Sequence, residues 1–176
     1  MEKQPALFLD RDGVINYDHQ YVYQISDFEF IPGIFELVKA ANQHNYPVFI
    51  VTNQSGIARG YYTSQDYYNL MTWVLDQFQQ HGCSITHVYH SPYHPEVTDK
   101  YQQYEFLRKP WPGMMFKASW DYDIDLRQSI MVGDKDTDMI AAKRANIPTR
   151  LLLGSETSKS ATDIISSPLD VIKYLK

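Results

Sequence analysis

Apolar residues along this chain follow two rhythms. In the first they run unbroken for a few positions: Ala6 to Leu9, Val48 to Val51, Ile85 to Tyr89, Ile130 to Val132 and Thr149 to Leu153. Short unbroken runs bounded by turn residues predict strands buried on both faces, as in a parallel sheet. In the second rhythm they recur every three or four residues. Ile34, Leu37, Val38 and Ala41 do so after Pro32-Gly33, and Tyr67, Leu70, Met71, Val74, Leu75 and Phe78 do so between Thr63 and Gly82. That spacing predicts amphipathic helices, the second with Thr63 as its N-cap and Gly82 as its stop. Pro112-Gly113 opens a further helix to about Tyr122, another is expected from about Asp136 to Ala145, and Leu169 to Leu175 reads as a terminal helix. Strand-like and helix-like segments alternate. The fold expected is α/β, a Rossmann-like three-layer sandwich on a mainly parallel sheet, with residues 1–176 forming one domain.

The strands end in unusual company. The first runs into Asp10-Arg11-Asp12-Gly13, and open α/β sheets place ligands at such C-terminal strand tips. Two carboxylates there repel one another and lose hydration unless a cation compensates. The second ends in Thr52-Asn53-Gln54-Ser55-Gly56, offering a hydroxyl and backbone N–H groups to an oxyanion. Arg108-Lys109-Pro110 supplies two cations, with a proline that keeps the local chain out of a helix. The fourth ends in Gly133-Asp134-Lys135-Asp136-Thr137-Asp138, where Asp134 is placed to complete an oxygen-ligand Mg²⁺ site with Asp10 and the Asp12 carbonyl. Each segment has a plain structural reading: an acidic turn, a polar turn, a solvated basic pair, an acidic helix start. Their combination in this order is what points to phosphate chemistry.

Composition narrows the choices. With 44% hydrophobic and 14% aromatic residues, the 176-residue chain has material for a packed core and no span of transmembrane length. A net charge of −5 argues against a nucleic-acid surface, so an anionic substrate must be drawn by local cations. A lone cysteine, Cys83, excludes an internal disulfide and a thiolate-rich metal site. No basic-then-apolar segment precedes the first strand, and the expectation is a cytoplasmic protein, monomeric, with no membrane partner. Two long irregular stretches, Arg11 to Ile31 and His90 to Trp111, are expected to shape the mouth of a site.

These motifs resemble those of the haloacid dehalogenase superfamily of phosphohydrolases: Asp10-Arg11-Asp12-Gly13, Thr52, Lys109 and Gly133-Asp134-x-x-x-Asp138. Phe8 to Asn16, Asp18-His19-x-Tyr21-Val22, Thr52 to Gly60, Arg108-Lys109-Pro110-x-Pro112-Gly113-Met114 and Met131 to Lys135 are similar in particular to the branch of histidinol-phosphate and heptose-bisphosphate phosphatases. The resemblance implies a capless Mg²⁺-dependent phosphatase acting on a small phosphorylated sugar. Asp10 would be the nucleophile and Asp12 the acid and base, with Thr52 and Lys109 on the transferring oxygens. Asp10, Asp12 and Asp134 would hold the metal, and Asp138 would orient the lysine or the metal's water shell. Arg11, Asp18, His19, Gln20, Tyr21, Asn53, Gln54, Ser55, Arg108 and Lys135 would bind the rest of the substrate.

The branch's usual zinc ligands, aligned on Pro92 and Arg108-Lys109-Pro110, fall here on Ser91, Tyr93, Glu105 and Leu107. No structural zinc is therefore expected despite His87, His90 and His94 nearby, and burial of Tyr101, Tyr104, Phe106 and Trp111 is expected to pin the loop instead. Two alternatives remain open: another sugar-phosphate or histidinol-phosphate phosphatase, and a receiver-like module that accepts phosphate on an aspartate. The second acid, Asp12, favours turnover over signalling.

Overall fold

The computed structural model describes residues 3–97 and 100–176. Six strands, β1 (Leu7–Leu9), β2 (Val48–Asn53), β3 (His87–Ser91), β4 (Ile130–Gly133), β5 (Thr149–Leu153) and β6 (Asp163–Ile165), form one sheet in the order β3-β2-β1-β4-β5-β6. Every pairing is parallel, so the mainly parallel expectation becomes wholly parallel among the described residues. The α-helices are α1 (Ile34–Gln43), α2 (Ser64–Gln80), α3 (Gly113–Tyr122) and α4 (Asp136–Arg144). No helix among them is long and apolar enough to cross a membrane.

The unbroken apolar runs are explained by burial on two sides. Leu7, Leu9, Val48, Ile50, Ile130 and Val132 pack with α1 and α2, including Leu37, Leu70 and Phe78. The alternate positions, Phe8, Phe49, Val51 and Met131, pack with Met114 and Met115 of α3 and Met139 and Ala142 of α4. Neighbouring residues on a strand point to opposite faces, so a strand with helices on both sides must be apolar throughout.

Four expectations need correction. β3 begins at His87 rather than Ile85, because Thr86 uses both its N–H and its hydroxyl to bond Val48. β6 was not predicted; two of its three residues are exposed, which leaves no apolar run to detect. The C-terminal segment, Pro168–Tyr174, is a 3-10 helix rather than an α-helix, started by Ser167 and with Pro168 in its first turn. Finally, Phe106 and Trp111 are 54% and 46% exposed, so they do not bury the loop before Lys109. Tyr93 does, as a buried side chain, assisted by the Ser91 hydroxyl, which donates to the Tyr104 carbonyl over 3.1 Å. Of the aromatic residues in and beside the loop's 3-10 segment (Gln102–Leu107), Phe106 turns outward, Tyr104 is half-buried and Tyr101 packs against the core as expected, while Trp111 lies under Arg144 instead.

Candidate active site

β1 lies between β2 and β4, and the C-terminal ends of these three strands carry Asp10, Thr52 and Asp134 to one place. This is the point where chain order reverses across the sheet, the location open α/β sheets use for ligands. A cleft of about 510 Å³ opens there, lined among others by Asp10, Asp12, Asp18, Gln20, Tyr21, Asn53, Gln54, Ser55, Arg108, Lys109 and Lys135.

At its floor the Lys109 ammonium is buried and donates to Asp10 Oδ1 at 2.8 Å, to the Val51 carbonyl at 2.8 Å and to Asp138 Oδ1 at 2.6 Å. Its three N–H bonds are thus all engaged. Burial alone would lower its pKa, but Asp10 and Asp138 outweigh burial and hold it above its ordinary value. The other Asp138 oxygen accepts the Lys135 backbone N–H over 3.1 Å at the start of α4. Asp138 therefore orients Lys109 and caps the helix together. The Lys109 backbone is fixed in turn by Asn53, which accepts its N–H and donates to its carbonyl, both over 3.0 Å.

The carboxylates are held under tension. Burial and Asp138 raise the Asp10 pKa, with Lys109 pulling the other way. Burial, with repulsion from Asp10 and Asp138, pushes Asp134 up to about 8. Asp134 Oδ1 is buried without a hydrogen-bond partner. Asp10, Asp134 and Asp138 form the one acidic group among the described residues able to converge on a cation, their ligand oxygens all within 4.8 Å of one another. An orphaned buried oxygen among mutually repelling acids is the donor set a hard divalent cation satisfies. Gly13, at φ +90°, lies so close to Asp134 that a Cβ there would overlap the carboxylate.

Asp12 lines the same cleft but has its own set of partners. Its Oδ1 accepts from Arg11 Nη2 at 2.6 Å and Asn16 Nδ2 at 3.0 Å, and its Oδ2 from Gln54 Nε2 at 3.1 Å. Gln54 Nε2 also donates to Thr52 Oγ1 at 2.8 Å, and Gln54 Oε1 accepts from the Tyr62 hydroxyl at 2.5 Å. At the rim, Lys135 donates to Asp18 over 3.0 Å, joining the loop after β1 to the loop after β4. Arg108 is anchored through Nη1 on the Tyr93 carbonyl at 3.2 Å, and burial with the nearby Arg59 lowers its pKa.

Two expected substrate contacts are not brought to the cleft. Arg11 is 1% exposed and spends Nη2 on Asp12 and on the Val22 carbonyl at 2.7 Å, so it staples the loop after β1 from beneath. His19 projects into solvent toward Glu29, 3.6 Å away. Thr52 is wholly buried beneath the cleft, its hydroxyl oxygen accepting from Gln54 Nε2. Gln54 lines the cleft, but its amide is consumed by protein partners. Sequence reasoning assigned no role to Asn16, four residues after Asp12, or to Tyr62, just before the α2 cap. Asn16 closes the Phe8-to-Asn16 stretch that carries the family resemblance, whereas Tyr62 lies outside every motif. Of the three histidines near the loop, two belong to β3, where His90 lies against Tyr67 and Tyr68 and His87 against Tyr89 and Tyr122, and in the loop His94 Nε2 faces Arg59 Nη2 at 2.6 Å.

Comparison with known proteins agrees with this architecture. The HAD-hydrolase-like family matches residues 106–176. The D-glycero-alpha-D-manno-heptose-1,7-bisphosphate 7-phosphatase of Burkholderia mallei is 44% identical, over 98% of this chain and 94% of its own. The corresponding beta-named 7-phosphatase of Haemophilus ducreyi is 41% identical over 97% of each. The crystal structure of D,D-heptose 1,7-bisphosphate phosphatase from B. bronchiseptica, complexed with magnesium and phosphate, superposes with a TM-score of 0.83 at 25% identity over 98% of both chains. With that identity along nearly its whole length and the same fold, the chain belongs to the haloacid dehalogenase superfamily, in the branch of the heptose-bisphosphate phosphatases, and is a phosphatase.

Proposed function

We propose that this enzyme removes the 7-phosphate of D-glycero-D-manno-heptose 1,7-bisphosphate, a step toward ADP-heptose for lipopolysaccharide. The observation that carries the reading is the floor of the cleft, where Asp10 lies beside a fully engaged Lys109. An Asp10 oxygen attacks phosphorus, and the bond from phosphorus to the sugar oxygen breaks as that oxygen takes a proton from Asp12. Asp12 then takes a proton from the water that hydrolyses the aspartyl-phosphate and frees Asp10. Thr52 and Lys109 stabilise the transferring oxygens, which requires Lys109 to exchange one present partner for phosphate. Asp10, Asp134 and the Asp12 carbonyl would hold Mg²⁺, whose positive charge lets an anionic nucleophile meet an anionic phosphate. The neighbour crystallised with magnesium and phosphate supports that metal.

Arg108 and Lys135, with Asp18, Gln20, Tyr21, Asn53 and Ser55, form the wall that meets the rest of the sugar. The planar guanidinium of Arg108 suits a second phosphate. We further propose that the loop before Lys109 needs no zinc, because its ligand positions hold side chains that serve as packing and hydrogen-bonding groups.

Purified enzyme with Mg²⁺ is expected to release one phosphate from the bisphosphate and leave the anomeric phosphate in place. Preferred turnover of histidinol phosphate would overturn the substrate assignment. Arg108→Ala is expected to lower kcat/KM for the bisphosphate by about ten- to a hundredfold, the worth of lost charge-assisted contacts, and to spare a heptose 7-monophosphate. Equal losses on both substrates would place Arg108 on the reacting phosphate.

A further inference from the structure

Asp12 has two oxygens with different surroundings. Oδ1 accepts two hydrogen bonds, one from the Arg11 cation, whereas Oδ2 accepts a single bond from the neutral Gln54 amide. Oδ2 is therefore the oxygen with a lone pair to spare for a proton. Its direction is set by Gln54, whose Nε2 faces Asp12 and whose Oε1 faces the other way. Oε1 then meets the Tyr62 hydroxyl, which donates to it over 2.5 Å. Tyr62 is 6% exposed, with its ring stacked on Tyr23 at 5.2 Å and covering Gly56 so closely that a Cβ there would overlap it.

We infer that Tyr62 is a positioning residue for proton transfer: through Gln54 it fixes the Asp12 oxygen that gives the proton to the leaving sugar oxygen. Gln54 thus works on the enzyme's own acid, a role the strand-tip motif alone does not reveal. The inference rests on the assignment of Asp12 as the acid in the reading above. It adds a residue outside the strand-tip motifs, contributed by the segment leading into α2. A rigid hydrogen-bond chain of this kind has a kinetic consequence, since a misdirected acid slows the step it assists without changing how substrate is held.

The test compares a sugar phosphate, whose alkoxide leaving group needs a proton, with p-nitrophenyl phosphate, whose leaving group does not. Wild-type turnover of both establishes the phosphatase, and in the single-turnover burst, which reads leaving-group departure apart from the later hydrolysis, Asp12→Asn must slow the sugar phosphate far more than the aryl ester. Failure of that control would count against the role of Asp12, separately from Tyr62. Tyr62→Phe keeps the ring stack and is expected to lower kcat for heptose 1,7-bisphosphate about tenfold, a fraction of the ~10²–10⁴-fold available to acid catalysis. KM for both substrates and the burst rate of p-nitrophenol release should stay within about threefold, well below that loss. Gln54→Met, which also removes the bond to Thr52, should slow the sugar phosphate more than the aryl ester, and the double variant should be no worse than Gln54→Met alone, because the two act in series. Equal losses on both substrates, a change in KM alone, or additive losses in the double variant would overturn the inference. Should Tyr62→Phe fail to fold, Gln54→Met by itself decides between the same outcomes.

Discussion

Single residues in this site are defined by what they have left over after their neighbours are satisfied. Lys109 has no free N–H, Asp134 keeps one oxygen without a partner, and Gly13 has no room for a methyl group. Gly13→Ala combines a φ of +90° with an overlap on the Asp134 carboxylate. It should displace that carboxylate by enough to lower kcat about a hundredfold, the usual cost of misplacing a catalytic group by ~1 Å. The steady-state rate and the unchanged far-ultraviolet spectrum of the variant would check this; a near-normal rate would mean that Asp134 is not held against Gly13. The strand-tip residues were legible in the sequence because each ends an apolar run in a polar cluster. Asn16, Tyr62 and the inward turn of Arg11 were not. Their roles depend on side-chain directions that only the folded loop after β1 and the start of α2 define.

Among elements, those with strong periodicity were read best. The α1 and α3 helices and β2 and β5 begin where the pattern places them, whereas β6 and the 3-10 turns lack enough residues to make a pattern. The α2 helix shows why the reading worked at its start. Thr63 accepts the Asp66 backbone N–H at 3.1 Å while Asp66 accepts the Thr63 N–H at 2.8 Å, a reciprocal pair that satisfies two otherwise orphaned donors. Thr63→Ala should cost about 1 kcal/mol of unfolding free energy, and Thr63→Ser should restore most of it. For a chain of this size that is a fall of roughly 2–4 °C in the thermal midpoint. No measurable fall would show that tertiary packing alone sets this helix start.

At the scale of the molecule, titration divides the stability curve into two windows. Burial pushes His90 down to about 4, so its neutral form stabilises the fold above its ordinary pKa of 6.5, and that contribution is lost as pH falls toward 4. Asp134 is shifted the opposite way, from 3.8 up to about 8, so its contribution is complete below 3.8 and is lost as pH rises through 8. The two slopes oppose each other between about 4 and 6.5, and only Asp134 acts above that. Metal-free enzyme should therefore lose thermal stability from pH 6.5 to 8, and saturating Mg²⁺ should remove that loss by favouring the charged carboxylate. A midpoint that stays level in metal-free protein over this window would contradict the strain assigned to Asp134.

The strand order bears on how such an enzyme diverges. With β1 flanked by β2 and β4, the groups proposed to move phosphate lie on or beside the middle of the sheet, fixed by core packing on both sides. Arg108, Asp18 and Lys135 sit on loops around it. After gene duplication, one copy can exchange rim residues and acquire a different phosphorylated metabolite while inheriting the reactive centre unchanged. Selection on diet or cell-envelope chemistry would then be written in the loops, and ancestry in the strands.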